Sequence, residues 1–330
     1  MKIVKIAAFG EPQEVAACVE VPELGPPAED EVLVEVEAFP INPVDLLTIE
    51  GRYATRPALP ATPGSESVGR VLAAGPAVRE VAVGGRVINL GRSNWVQRLK
   101  VKAETVLKVP ASADVLQLAM LKINPATAHS MLRNYVALKP GDWLIQDAAN
   151  SGVGTCLIAL AKAQGLKTVN VVRRAELAAP LEALGADVVV VDGDDLAERV
   201  TAATGGADIK LAIDAVAGAA CRRLAECLGE GGTLVNYGML SDQPCTIDPH
   251  HVVFRGITLT GFWLAKVLGA TARAEVAALY DGLAGRVADG SLKVAVEATY
   301  PIEDITRALA HAGRQGRGGK VLVTPNGPLA

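Results

Sequence analysis

From about Leu118 onward, short apolar runs alternate with longer segments whose apolar positions recur at helical spacing. The runs predict strands at 143–147, 168–172, 188–191, 210–214, 233–237 and 257–262, and the segments between them predict helices at 153–164, 177–184, 196–204 and 219–228. In the first of these helices Val153, Cys156, Leu157, Leu160 and Ala161 share one face, and Gly165 supplies a left-handed stop. Pro180 fits only in the first turn of its helix, because its ring blocks an interior position. Strands alternating with helices imply a parallel sheet covered on both faces, with ligands at the carboxyl ends of its strands.

The chain on either side has a different texture. Up to about residue 115 it is rich in proline, glycine and valine, with short alternating runs such as Glu31–Glu37 and Ser67–Leu72 broken by turn clusters such as Leu24–Pro27. That pattern predicts a small, mostly antiparallel β domain. Beyond the sixth strand comes a helical segment near 270–289, and β texture resumes at Val294–Thr299 and Gly319–Thr324. The expected organisation is a discontinuous domain of residues 1–119 with 267–330, and a parallel-sheet domain of 120–266. A substrate is expected in a cleft between them.

Composition narrows the function classes. A chain of 330 residues can bury two cores, and although half of it is hydrophobic, no run of membrane-spanning length occurs. A formal charge of −4 with both signs interspersed argues against nucleic acid as a partner. The stretch Gly91–Lys102 is the most basic, and its alternation reads as a strand with one solvated side. Cys18, Cys156, Cys221, Cys227 and Cys245 show no framework spacing, and Met1–Ala8 reads as a strand rather than a signal peptide. A cytoplasmic protein with reduced thiols is expected.

The segment Trp143–Gly154 carries the most chemistry. An apolar strand runs into Asn150-Ser151-Gly152-Val153-Gly154, and a helix starts there. In that context the glycines let backbone N–H groups and a helix N-terminus face a pyrophosphate, although an ordinary strand-to-helix turn could also use them. Sites for the dinucleotide without an extra phosphate usually end the second strand with an acid for the ribose hydroxyl. Here Arg173 and Arg174 stand there, and guanidinium forks suit a 2′-phosphate. A solvated basic pair would look the same. The expected cofactor is NADPH, with Tyr237, Gly238 and Met239 closing the fifth strand beside it.

The segments Asn42-Pro-Val-Asp45, Asn124-Pro-Ala-Thr-Ala128, Asn150–Gly154, Asn170-Val-Val-Arg173, Asn236-Tyr-Gly-Met239 and Arg255–Leu264 resemble those of the medium-chain dehydrogenase/reductase superfamily. Within it they are most similar to the zinc-free, mitochondrial-type enoyl thioester reductases. The resemblance covers nearly the whole chain and implies a GroES-like β domain joined to a six-stranded, doubly wound parallel sheet. It differs from the family at Arg173-Arg174-Ala175, where an Arg-Asp-Arg order is usual, and at Asp147, where asparagine is common.

Zinc-dependent relatives hold the metal with an early cysteine and a Gly-His-Glu. Here Asn42–Asp45 and Gly64-Ser65-Glu66 occupy those places, so no metal is expected. The four histidines lack metal spacing, and His250-His251 reads as an incidental pair on a strand. The resemblance implies hydride transfer to the β-carbon of an α,β-unsaturated carbonyl. Tyr53 is then the proton donor, and a surface tyrosine in the turn beside Gly51 is the plain alternative. Asn42 shares the catalytic site. Asn124 orients Tyr53 or the cofactor, and Phe262, Trp263, Leu264 and Lys320 line the nicotinamide side or an acyl tunnel. An enoyl thioester, an enone or, as the rival reading, a quinone is the expected substrate. Relatives recruited as crystallin-like or RNA-binding proteins define a third class, which the retention of Tyr53 disfavours. The sixth strand is expected at the sheet edge, where a homodimer would form.

Overall fold

In the computed structural model, residues 1–329 are described. The strands are β1 (Lys2–Ile6), β2 (Ala16–Glu20), β3 (Glu31–Pro40), β4 (Val68–Ala74), β5 (Arg86–Asn89), β6 (Arg98–Lys102), β7 (Val106–Lys108), β8 (Trp143–Gln146), β9 (Lys167–Val172), β10 (Val188–Val191), β11 (Leu211–Asp214), β12 (Thr233–Asn236), β13 (Thr258–Gly261), β14 (Val296–Tyr300) and β15 (Lys320–Val323). The chain divides into two compact units, Met1–Ile123 with Arg273 onward, and Asn124–Ala272.

The first unit is a seven-stranded sheet in the order β14-β15-β3-β4-β5-β7, with β6 also paired to β3, beside a two-stranded sheet of β1 and β2. Every pairing is antiparallel except β14 with β15. Alternation in β3 puts Val32, Val34, Val36 and Ala38 inside. They join a core capped by Trp95, which stacks on Phe39 with ring centres 5.6 Å apart. Of the basic stretch Gly91–Lys102, only Arg98–Lys102 forms a strand, β6, because the residues before it turn; Arg98 pairs with Glu23, and Lys102 with Asp30.

The second unit holds six parallel strands in the order β10-β9-β8-β11-β12-β13, a doubly wound α/β sheet. Helices Gly152–Ala163, Ala178–Leu184, Leu196–Thr204 and Gly218–Cys227 connect them. One face buries Ile145, Val169, Val171, Ala212 and Leu234 against Leu196, Val200, Cys221 and Leu224. The other packs Ile158 and Leu181 on Val172. Gly165 has φ 69°, the left-handed conformation its place after the first helix requires. β13 lies at the edge of the sheet.

The units meet at Ile123/Asn124 and Ala272/Arg273, a few residues past the boundaries drawn at 119 and 267. Lys122 explains the first shift, since its ammonium donates to Ser65 O and Gly91 O and so ties it to the β unit. The His250-His251 pair corrects the sequence reading. It lies in a helix, Pro249–Arg255, capped by Asp248. Proline at the first position and an acid before it are a helix start signal that outweighs the short apolar run.

Candidate active site

Within the second unit the turn after β8 sets the geometry. Ser151 caps helix Gly152–Ala163, its Oγ accepting from Gly154 N at 3.1 Å. A Cβ at Gly154 would lie 2.5 Å from Ala149 O, so only glycine lets the helix start this close to the turn backbone. The close approach is therefore to Ala149, one turn upstream, rather than to a strand. Val153 is buried while Asn150 is exposed. Behind the turn, Gln146 Nε2 donates to Gly154 O at 3.0 Å and to Asn170 Oδ1 at 2.8 Å, locking β8, β9 and the helix start together.

Arg173 and Arg174 follow β9 directly, and both are exposed at its carboxyl end. Arg174 Nε pairs with Glu176 at 2.8 Å. Tyr237 is half-buried at the end of β12, with Gly238 beside it, and Met239 is exposed. Burial first, then the charge of Asp147, hold its phenol above the ordinary tyrosine value, while a hydrogen bond with Ser151 acts the other way. Tyr237 thus meets the glycine turn.

Asp147, which ends the same segment, was noted in the sequence only as a departure from asparagine. It is buried, its Oδ1 accepts from Ala215 N at 2.7 Å, and its Oδ2 has no donor. Burial first, then the adjacent Asp214 carboxylate, raise it well above the usual carboxylate range. Nothing in local sequence signals this pair, because the two acids sit on neighbouring strands 67 positions apart.

Asn124 opens helix Asn124–Asn134. It is 4 % exposed, and its Nδ2 donor has no partner among the described residues. A buried amide donor left open is costly unless a ligand acceptor completes it. Phe262 and Leu264 are buried and flank Trp263, which is 39 % exposed. Of this trio, only Trp263 presents much of its surface to solvent.

The remaining residues lie in the first unit. Asn42 caps helix Pro43–Ile49, its backbone N–H donating to Asp45 Oδ2 at 2.9 Å. Its side chain is fully engaged. Nδ2 donates to Glu66 Oε1 at 2.7 Å, and Oδ1 accepts from Lys320 Nζ. Glu66 also accepts from Ile123 N at 2.9 Å. Asn42, Asp45, Ser65, Glu66, Lys122 and Lys320 are all buried, so this is a sealed charged cluster. Burial pushes Glu66 up to about 7 and Asp45 up to about 6, while Lys122 is pulled down to about 8 by the same cause. Sequence placed Asn42 with the catalytic residues and Lys320 with the cofactor; the structure joins the two directly.

Tyr53 stands just after that helix. Gly51, at φ 73°, makes the turn, and a Cβ there would press on the Phe9 ring at 2.9 Å. Arg52 N and Tyr53 N both donate to Leu47 O, fixing the loop. The Arg92 guanidinium lies 5.3 Å from the centre of the Tyr53 ring, and Tyr53 is partly exposed. Arg92 had no role in the sequence reading.

These features define a class, a GroES-like β unit joined to a doubly wound sheet with a glycine turn at its first helix. Comparison with known proteins agrees. The alcohol dehydrogenase GroES-like domain family matches residues 28–111, and the zinc-binding dehydrogenase family matches residues 152–282. Mitochondrial enoyl-acyl-carrier-protein reductases are similar in sequence. That of Xenopus tropicalis is 34% identical over 91% of this chain and 88% of its own, and that of Arabidopsis thaliana 36% over 98% and 88%. Among solved structures, the Escherichia coli quinone oxidoreductase complexed with NADPH superposes with a TM-score of 0.88 at 27% identity, over 98% of this chain and all of that one (100%). The chain belongs to the medium-chain dehydrogenase/reductase superfamily, on its enoyl reductase-like side.

Proposed function

We propose that the chain is an NADPH-dependent reductase that reduces the carbon–carbon double bond of an α,β-unsaturated carbonyl, with a trans-2-enoyl thioester as its substrate. The observation that carries this reading is the similarity to enoyl reductases along more than nine-tenths of the chain. It is supported by Ser151, Gly154 and Arg173 arranged as a phosphate-binding turn requires.

When bound, NADPH supplies a hydride. Around it, the helix beginning at Gly152 offers N–H donors and the positive end of its dipole to the pyrophosphate. Arg173 provides the 2′-phosphate contact, with Arg174 held partly by Glu176. Asn124 Nδ2, unpartnered within the protein, donates to the cofactor or substrate. Tyr237, Gly238, Met239, Phe262, Trp263 and Leu264 line the nicotinamide side. With hydride supplied at the β-carbon, Tyr53 would give its phenolic proton to the α-carbon, where the displaced electron pair would otherwise leave an enolate. A phenol suffices because an enolate carbon is the stronger base. Asn42 and Lys320 act as positioning residues, since Lys320 holds the Asn42 amide and that amide holds Glu66.

We further propose that catalysis proceeds without zinc. The Lys320 ammonium already supplies positive charge beside Glu66, in a cluster with no thiolate or imidazole. A cytoplasmic homodimer completes the reading. No helix among the described residues is long and apolar enough to cross a membrane. The dimer is supported by the edge position of β13 and by exposed Leu259, Val252, Val253 and Phe254 near it. Sedimentation of the purified chain and fractionation of the cell test these two points.

The second reading is an NADPH:quinone oxidoreductase, favoured by the close superposition on the Escherichia coli enzyme. Oxidation of NADPH and NADH with crotonyl and longer thioesters, enones and simple quinones separates the two. Faster turnover with quinones than with every thioester would overturn the enoyl reading.

A further inference from the structure

One carboxylate and two thiols converge in the second unit. Asp214 ends β11, Cys221 lies early in helix Gly218–Cys227, and Cys245 comes from the loop after β12. One oxygen and two sulfurs, all mutually within 4.8 Å, face one another there. The loop is held in place, for Thr246 Oγ1 donates to Gly218 O at 2.9 Å. Asp214 is oriented as well. Its Oδ1 accepts from Val216 N and Ala217 N, each at 2.8 Å, and its Oδ2 accepts from Asn236 Nδ2 at 2.9 Å. An acceptor position remains on Oδ2.

Asp147 lies beside Asp214, is 4 % exposed and accepts from Ala215 N at 2.7 Å.

We infer that Asp214, Cys221 and Cys245 form a binding site for a soft divalent cation of the zinc class. The donor set is the reason for that class, since thiolates select soft or borderline metals and one carboxylate completes a three-ligand site. Two thiolates on one tetrahedral ion at about 2.3 Å stand about 3.8 Å apart, whereas a disulfide needs about 2.05 Å. The sulfurs lie within 4.8 Å of each other. Cys245 is partly exposed, which gives the ion a route in and leaves a fourth position for water. Each thiol releases its proton to solvent as it binds. The Asn236 hydrogen bond to Asp214 is the kind of outer support that metal sites use. This site is separate from the Asn42–Glu66 cluster and does not depend on the enoyl reading.

The test uses the full chain, stripped with a chelator under reducing conditions and titrated with cadmium, then zinc. One thiolate-to-cadmium charge-transfer band should grow to one ion per chain, and calorimetry with zinc should show proton release. Cys245→Ser should abolish the band, while Asn236→Ala should weaken zinc binding about 10- to 100-fold. Cys245→Ser sits in a partly exposed loop, so it keeps the test valid if Cys221→Ser fails to fold. Retention of the full band in Cys245→Ser would assign it to the other thiols and overturn the site. Absence of any band in the native chain would overturn it equally.

Discussion

Lys320 Nζ donates to Asn42 Oδ1 inside the first unit, joining the start of β15 to the cap of helix Pro43–Ile49. The bond fixes the amide so that its Nδ2 meets Glu66. Lys320→Met should leave the buried Asn42 Oδ1 without its donor and cost about 1–3 kcal/mol of unfolding free energy, read from denaturant titration. Asn42→Ala in the same background should add less than it does alone, because the two share one network. Simple additivity would show that the contact contributes nothing.

Tyr53→Phe removes the proposed proton donor but keeps the ring under the Arg92 guanidinium. Turnover of crotonyl thioester should fall about 10²- to 10⁴-fold, with NADPH affinity within about threefold of the parent. Stopped-flow fluorescence of bound NADPH and steady-state rates together check this. Unchanged turnover removes Tyr53 from the chemistry.

The two arginines after β9 should discriminate between the coenzymes. Either guanidinium can meet a 2′-phosphate at the end of β9, so Arg173→Ala should weaken NADPH binding about 10- to 100-fold, while NADH binding stays level. Glu176→Gln should instead tighten NADPH modestly by releasing Arg174. Calorimetric titration with both coenzymes decides the matter, and equal losses for NADPH and NADH would contradict it.

Gly154→Ala places a methyl 2.5 Å from Ala149 O. The neighbour is backbone and cannot swing away, so the turn must shift. A loss of about 1–3 kcal/mol in stability is expected, together with a large loss of NADPH affinity. Thermal melts with and without the cofactor would show both.

Stability should also depend on Glu66. Burial pushes its carboxyl up to about 7 in the folded chain, from an ordinary 4.5. Between those values the folded state binds more protons than the unfolded one, so stability is complete below about pH 4.5 and is lost as pH rises through about 7. Asp45, pushed up to about 6, acts in the same direction. Lys122, pulled down to about 8, works oppositely above that pH. The slope from Glu66 should approach 1.4 kcal/mol per pH unit, roughly one proton's worth, and Glu66→Gln should flatten it. Denaturation midpoints from pH 4.5 to 7.5 measure this.

Much of this was legible in the residues because it depends on local periodicity. Every strand of the parallel sheet falls within two residues of its expected place, from Trp143 to Gly261. The pattern Ser151–Gly154 could be read from order alone, since strand, turn and helix are contiguous. What escaped depends on contacts distant in sequence. Lys122 and Glu66 are ordinary charged residues until burial places them together. Asp147 and Asp214 meet only through the pairing of β8 with β11, and Cys221 and Cys245 only through the loop anchored at Thr246. His250-His251 was misassigned because the Asp248 cap, not the apolar residues, decides the local structure.

β3 waits for a partner from the far end of the chain, since Phe39 and Pro40 pair with Val323 and Leu322. On the ribosome, then, the first unit emerges unfinished and the second can fold in the interval. Any truncation short of β15 would leave the early strand with an unsatisfied, adhesive margin. The tail of this protein is thereby a closing clasp, and its loss should appear as aggregation before it appears as lost catalysis.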